Sequence, residues 1–532
     1  MKNLFRSVVT DFKLFNHNVS STNWTLESGY KTNLLETYPR RVLGRGTRAG
    51  INIILKQNIS DLDYICRLGT QGYKVLLHTP GEIPRISKQY FTVSLNQAVV
   101  VSVKPSMITT SKGLAGESPS RRQCYFNHER FLQFFKIYTQ SNCELECLAN
   151  FTLAQCSCIQ FSMPRDNKTR ICTQFEMECY QAAEYDMMTA ELSQDLESIS
   201  GKNKRGESIC NCLPSCTSIH YDTEISQTDQ DYIRVSKALH QDFNSDIVES
   251  RLEIFFKESQ FVTSTRAELY GFIDFLADFG GLLGLFMGVS ILSLIEIIYY
   301  VTLRPACNMN SRDKKEEKAY KKRSNIFKGI SEEKSTFPAN GNAGVSSNIH
   351  GVKYLGDRSR HWSERAFWSI TFLVSIIAFL LMISQIYYKW ELAPSFDEKP
   401  TQVWRIPFPV VTICPETRVA LRHLNFTETY HKVHNTDKDD LSPEELRNIE
   451  ALAQICEPIL FRNFSIGSNL EETEIVTLLK KITLSLHESL SGCRWRNEYG
   501  DCSDFFNEII TEEGICYSFN DLNYNEIFKQ DV

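Results

Sequence analysis

The sequence predicts an α+β membrane protein, with two transmembrane helices attached to a large, disulfide-rich ectodomain that contains β-structure. Three observations carry this: two long apolar segments, seventeen cysteines among 532 residues, and β-branched runs in the flanks of the apolar segments. Seventeen cysteines is a high count for a reducing cytosol and points to an oxidising compartment. The length allows several domains. A net charge of −6 argues against a nucleic-acid partner.

The first apolar segment runs from Gly271 to Leu303 and ends GGLLGLFMGVSILSLIEIIYYVTL; the second, AFWSITFLVSIIAFLLMISQIYY, runs from Ala366 to Tyr388. Each is long enough to cross about 30 Å of hydrocarbon as a helix. The second carries no charge, which core helices of soluble proteins rarely achieve.

Three further patterns orient the spans. Residues 304–365 hold 14 Lys/Arg against 7 Asp/Glu, so this segment is +7 and the rest of the chain is −13. The positive-inside tendency places it in the cytoplasm and both flanks outside. N-x-S/T sequons begin at Asn18, Asn23, Asn58, Asn150, Asn167, Asn425 and Asn463, all in the flanks. Cys307 is the single cysteine between the spans; eleven precede the first span and five follow the second. With odd counts on both sides, full pairing requires a disulfide joining the flanks into one ectodomain, the alternative being one free thiol on each side. No secretory leader opens the chain, since Asp11 and Lys13 break its first apolar patch, so this topology asks residues 1–270 to be translocated without one.

Along the chain, INIILKQ, YKVLLH and YFTVSLNQAVVVSVK read as strands within a β-rich stretch of short pieces over residues 1–120. Residues 121–220 read as disulfide-held loops and short helices. YIRVSKALHQDF and VESRLEIFF are mixed polar and apolar segments leading to the membrane. The charge run KKEEKAYKKR opens a polar linker at 304–349. VWRIPFPVVTICPE is an extended, proline-punctuated entry to the last region, and LSPEELRNIEALAQIC reads as a helix with Ser442 at its N-cap and Glu445 completing a capping box.

No enzyme constellation stands out: there is no Walker loop, HExxH or GxSxG, and no cofactor or metal is implied. CSC at 156–158 and CNC at 210–212 would suit a metal in a reducing cell, but outside a membrane and among sequons they read as disulfide cysteines. The informative chemistry lies in the first span, with Asp278, Gly280, Gly281, Gly284, Gly288, Ser290 and Glu296. Carboxylates are costly in lipid. Around the axis of an oligomer they face water and favour cations, while glycines permit close helix approach. Carbonyls and a hydroxyl at Gly288-Val289-Ser290 can replace an ion's hydration shell. The alternative is an anchor helix with a small-residue association face, in a non-conducting cell-surface binding protein.

These residues resemble the degenerin / epithelial sodium channel / acid-sensing channel superfamily over nearly the whole chain, and within it the insect pickpocket subunits. LADFGGLLGLFMGVSILSLIE at 276–296 is similar to the family's pore helix. Gly288, Val289 and Ser290 fall on its G-x-S selectivity filter and Ala277 on its degenerin position, beside Asp278. His350-Gly351 falls on the gating His-Gly pair that precedes the family's first membrane helix, which 368–388 resembles. FPVVTIC at 408–414, GICYSFN at 514–520 and HTPGEIP at 78–84 resemble ectodomain motifs. The resemblance implies a trimeric, sodium-selective, amiloride-sensitive plasma-membrane channel with two spans, homomeric or mixed with related subunits. Protons, ligands or force would gate it, Glu296 would be a pore carboxylate, and sodium ions and membrane lipid would be its partners. It implies Cys414–Cys516, Cys493–Cys502, Cys124–Cys216, Cys143–Cys212, Cys147–Cys210, Cys156–Cys179 and Cys158–Cys172, and leaves Cys66 and Cys456 to pair with each other.

On this reading residues 1–270 are the later part of the ectodomain, with a β-rich core and a cysteine-rich thumb-like region. Residues 271–303 line the pore, 304–365 form a basic cytoplasmic linker, 366–388 are the outer helix, and 389–532 are the early ectodomain. The order departs from the family's. Residues 303–532 resemble the first part of a subunit and 1–302 the rest, so the chain reads as circularly permuted. A join of two neighbouring channel genes explains that order; the alternatives are a real but non-conducting fusion and a working permutant, since old termini that lie close together permit permutation.

Overall fold

The computed structural model describes residues 19–21, 24–32, 36–166, 168–199, 210–240, 246–268, 272–287, 361–391, 395–435, 442–461 and 475–529. The chain divides into two compact units, Met1–Ala267 with Phe396–Val532, and Glu268–Ser395. In chain order the strands are β1 (Trp24–Thr25), β2 (Gly29–Tyr30), β3 (Ile51–Asn58), β4 (Tyr73–His78), β5 (Phe91–Val93), β6 (Gln97–Thr110), β7 (Ser218–Asp229) and β8 (Ile247–Phe256). Then follow β9 (Gln260–Ala267), β10 (Ser395–Gln402), β11 (Val410–Pro415), β12 (Leu490–Trp495), β13 (Glu498–Gly500), β14 (Phe506–Thr511) and β15 (Gly514–Phe519).

The larger unit holds an eight-stranded sheet of order β10-β9-β6-β8-β3-β12-β13, with β7 also on β6, and a five-stranded sheet of order β14-β15-β11-β4-β5. The long strand β6 organises the first. Its residues Gln97–Ile108 pair antiparallel with the whole of β7. On its other edge Ala98–Val103 pair in parallel with β8 and Met107–Thr110 with β9. Val99, Val101 and Val103 alternate into the core, as the two-residue period of a strand requires. VESRLEIFF, mixed in composition, is a strand for the same reason: Leu252, Ile254 and Phe256 point inward and the charges outward.

Both sheets are assembled from the two flanks. β3 pairs with β12, and β11 lies between β4 and β15. Phe408 packs edge-on against Phe256 (centroids 5.4 Å apart), Trp495 (5.0 Å) and Phe519 (6.2 Å). Each of the two large apolar clusters takes residues from before 268 and after 395. Either flank alone would therefore expose half of each core to water.

The cysteine-rich stretch corrects the expectation of short helices. Gln140–Cys156 (α1) spans 17 residues and Met177–Ile199 (α2) spans 23. Thr139 caps α1, its hydroxyl accepting from the Asn142 N–H at 3.1 Å. Cys143 and Cys147 lie one turn apart on a single face of α1 and bond Cys212 and Cys210; Cys156–Cys179 ties α1 to α2, and Cys158–Cys172 closes the loop between them. The structure also holds Cys124–Cys216, Cys414–Cys516, Cys493–Cys502 and Cys66–Cys456, the last across 390 residues of sequence.

The smaller unit contains Phe272–Met287 (α3) and Trp362–Glu391 (α4). Phe279 meets Phe379 edge-on at 5.6 Å. Within α4, Ala366–Tyr387 is long and apolar enough to cross a membrane, and none of it is buried in the protein. A helix apolar on every side needs lipid or other helices around it.

Candidate functional site

The candidate pore residues sit on α3, described as far as Met287. Ala277 and Asp278 are exposed on it. A Cβ built on Gly280 or Gly281 would meet open space, so α4 does not use this small-residue face. Gly288, Val289, Ser290, Glu296, His350 and Gly351 lie outside the described residues, as do Asn18, Asn23, Asn167 and Asn463. Of the other sequons, Asn150 and Asn425 are exposed. Asn58 is half-buried, its side chain accepting from the Ser60 N–H at 3.2 Å.

The larger unit concentrates its charge chemistry in two buried places. The first is an ion cluster joining the flanks. Arg67 bridges Glu416 (Nε–Oε2 3.0 Å), Glu513 (3.0 Å) and Glu457 (3.4 Å). Lys74 reaches Glu513 at 2.6 Å and Glu416 at 3.5 Å. Arg418 pairs with Glu513 and lies 3.6 Å from Glu416. Burial alone would raise the Glu513 carboxyl, but Arg418, Arg67 and Lys74 outweigh it and hold the group below the usual carboxylate range.

The second joins the HTPGEIP segment to the residue after GICYSFN's Asn520. His78 is buried; its Nε2 pairs with the Thr412 hydroxyl at 2.9 Å and its Nδ1 with the Thr79 carbonyl at 3.3 Å. Burial lowers it to about 4, against the carbonyl's opposing pull. Burial raises Glu82 to about 7, with Asp521 and Glu144 adding to the shift and the Thr79 N–H opposing it. Burial raises Asp521 to about 7 as well, opposed by the N–H groups of Leu522 and Gly81. Gly81 has φ +90°, and a Cβ there would stand 3.1 Å from Ile137 and 3.2 Å from Leu522, so the turn that carries Glu82 requires glycine. Glu82 is legible within its motif; Asp521 has only a weak local signal, an acidic residue two positions past the apolar strand β15.

Among the described residues, no three His, Cys, Asp or Glu are grouped to hold a metal ion. The geometry is that of a disulfide-braced body and a helix long and apolar enough to cross a membrane.

Comparison with known proteins identifies the class. The family model described as amiloride-sensitive sodium channel matches residues 4–300 and 344–531. The chain belongs to that family, the degenerin / epithelial sodium channel / acid-sensing channel superfamily, as a pickpocket-like, non-enzymatic member. It is 32% identical over 300 residues to Pickpocket protein 28 of Drosophila melanogaster, covering 54% of this chain and 46% of that protein. It is 29% identical over 296 residues to Pickpocket protein 11 of the same organism, covering 55% and 52%. Against human Acid-sensing ion channel 2 it is 27% identical over 269 residues, covering 48% of each. The chain spans about half the length of these curated relatives.

Proposed function

We propose that this chain is a subunit of a trimeric, sodium-selective, amiloride-sensitive cation channel of the plasma membrane, gated by protons, a ligand or force. The observation that carries the reading is the family match on both sides of residues 301–343. Ala366–Tyr387 supports it as a membrane span. In this reading the α3 segment lines the pore with Gly288, Val289 and Ser290 as its filter, Glu296 as a pore carboxylate, and Ala277, Asp278, His350 and Gly351 in gating; the larger unit is extracellular and glycosylated. The small-residue face that α4 leaves open would meet the same face of other copies. The test is current recording from cells expressing the chain. Amiloride-blocked sodium current supports the reading, and replacing Ser290 or Gly288 should alter the sodium-to-potassium permeability ratio. No current from a surface-exposed chain, alone or with related subunits, favours the non-conducting binding protein.

We also infer that the two halves stand in permuted order relative to the family. Two facts support it. Each relative aligns over only about half its length, as expected when one collinear alignment can follow only one half. Residues 520–526 lie against 21–40: Ser21 N–H donates to Glu526 at 2.9 Å and the Asn520 amide to the Arg40 carbonyl at 3.2 Å. Sequencing native transcripts end to end across codons 290–370 tests this. One continuous transcript establishes the order; two separate ones make the chain a join of neighbouring genes.

A further inference from the structure

Within the larger unit a cavity of about 420 Å³ opens where Ser21, residues 24–27, 127–138, 215–217 and 522–526 converge. Most of its exposed surface is apolar, from Trp24, Leu26, Ile137, Tyr138 and Leu522; Glu27, Lys136 and Glu526 are its charged groups, and six neutral polar residues complete the lining. Trp24, Tyr138 and Leu522 are buried beneath it. Long-range hydrogen bonds hold the walls in place. Asn127 N–H donates to the Glu27 carboxylate at 2.7 Å and Tyr138 N–H to the Asn127 side-chain oxygen at 2.6 Å. Lys136 N–H donates to the Ile527 carbonyl at 2.8 Å, and the Lys136 ammonium to the Asn525 carbonyl at 2.7 Å. A preformed cavity of about 300–1,000 Å³ that combines apolar surface with polar groups fixing orientation is the usual form of a small-molecule site.

We propose that this cavity binds a small molecule with a largely apolar body and one protonated amine. The charge balance decides the polar end. Lys136 is already engaged with a carbonyl, whereas two carboxylates share the cavity. Glu27 uses one oxygen for the Asn127 N–H. Glu526 accepts from both the N–H and the hydroxyl of Ser21 and, at 3.3 Å, from the Asn523 N–H. An ionised carboxylate has roughly four acceptor positions, so Glu526 keeps about one and Glu27 most of its own for an ammonium donor. The rings of Trp24 and Tyr138 suit an apolar or aromatic body and attract a cation at their faces. The same walls lead into the disulfide-held helices: Tyr125 bridges Ser215 on the strand side, and Tyr138 directly precedes the cap of α1. Occupancy would clamp that region to residues 522–526. That this clamp gates current rests on the channel reading; the binding itself does not.

The test is thermal unfolding of the detergent-solubilised full chain with phenethylamine as probe, against neutral 2-phenylethanol and anionic 3-phenylpropanoate. Saturating phenethylamine should raise Tm by about 2 °C, the alcohol by less, and the acid not at all. Leu26→Trp, which fills the cavity, should abolish the shift, and Glu27→Gln should weaken phenethylamine about tenfold, as loss of one charged hydrogen-bond partner does. Should Leu26→Trp fail to fold, tryptophan fluorescence decides: phenethylamine should perturb it in the parent chain but not in Trp24→Phe. No shift in the parent chain, or an undiminished shift in Leu26→Trp, overturns the site; equal shifts from amine and alcohol overturn the amine assignment. A chain that binds but passes no current refutes the channel reading and leaves this site standing, and a conducting chain without the Tm shift does the reverse.

Discussion

The two units solve opposite problems. The larger one hides its side chains: Phe408 and Phe519 are wholly buried, and even charged groups such as Glu416 and Arg418 are shut away from water. The smaller one shows its side chains: Leu373, Val374, Leu380 and Leu381 on α4 are all more than half exposed. In water the hydrophobic effect would oppose the second arrangement as strongly as it drives the first. The contrast teaches that one chain is built for two solvents. The body takes its stability from long-range contacts among its own residues, and the helices depend on what surrounds them.

The strongest way to break this comparison is inside the body. Glu513→Gln removes the carboxylate shared by Arg67, Lys74 and Arg418 and strands buried cations. It should destabilise the larger unit by about 3–5 kcal/mol, seen as early protease cleavage and a lowered Tm. A Tm within a degree of the parent chain would show the cluster to be dispensable. Cys66→Ser with Cys456→Ser removes the cross-flank disulfide and should cost about 2–5 kcal/mol; the check is denaturation under non-reducing conditions.

In the smaller unit, Leu373→Arg should oppose membrane insertion by about 3 kcal/mol if α4 lies in lipid. A glycosylation-mapping insertion assay reads this, and an unchanged inserted fraction would place that face away from lipid.

A pH titration sharpens the account of the body. Glu82 and Asp521 are raised to about 7 by folding. The folded state therefore holds their protons more tightly than the unfolded state does. Their contribution is fully present below the unfolded carboxyl range near pH 4 and is lost as pH rises through about 7. Each group carries on the order of 3 kcal/mol. His78, lowered to about 4, acts with the opposite sign: its contribution is present above about 6.5 and lost as pH falls toward 4. Tm measured between pH 4 and pH 8 should fall more gently with rising pH in Glu82→Gln and Asp521→Asn than in the parent chain. Parallel slopes would rule these two out as its source. The smallest effect belongs to Lys481→Ala: its pair with Glu444, 3.0 Å apart, stands open to water, and its loss should cost under about 1 kcal/mol.

Local chemistry determined what the sequence alone could show. The Ser442-Pro443-Glu444-Glu445 start forms the cap of Pro443–Leu452, with Glu445 N–H donating to the Ser442 hydroxyl at 3.2 Å and Ser442 N–H to the Glu445 carboxylate at 2.9 Å. The run AFWSITFLVSIIAFLLMISQIYY marks α4 because length and polarity decide a span without reference to the rest of the chain. Strand-like runs such as INIILKQ and YKVLLH became β3 and β4 for the same reason. The length of α1 and α2 was hidden, because frequent cysteines and polar residues dilute the apolar period that reveals a helix. Only tertiary structure decided that β6 gives one edge to β7 and the other to β8 and β9, that β11 lies between β4 and β15, and that Glu82 stands near the buried Asp521. Those outcomes depend on segments hundreds of residues apart sharing one core. No local pattern encodes a partner at that distance, since the free energy that selects it is realised only when both flanks bury their apolar faces together.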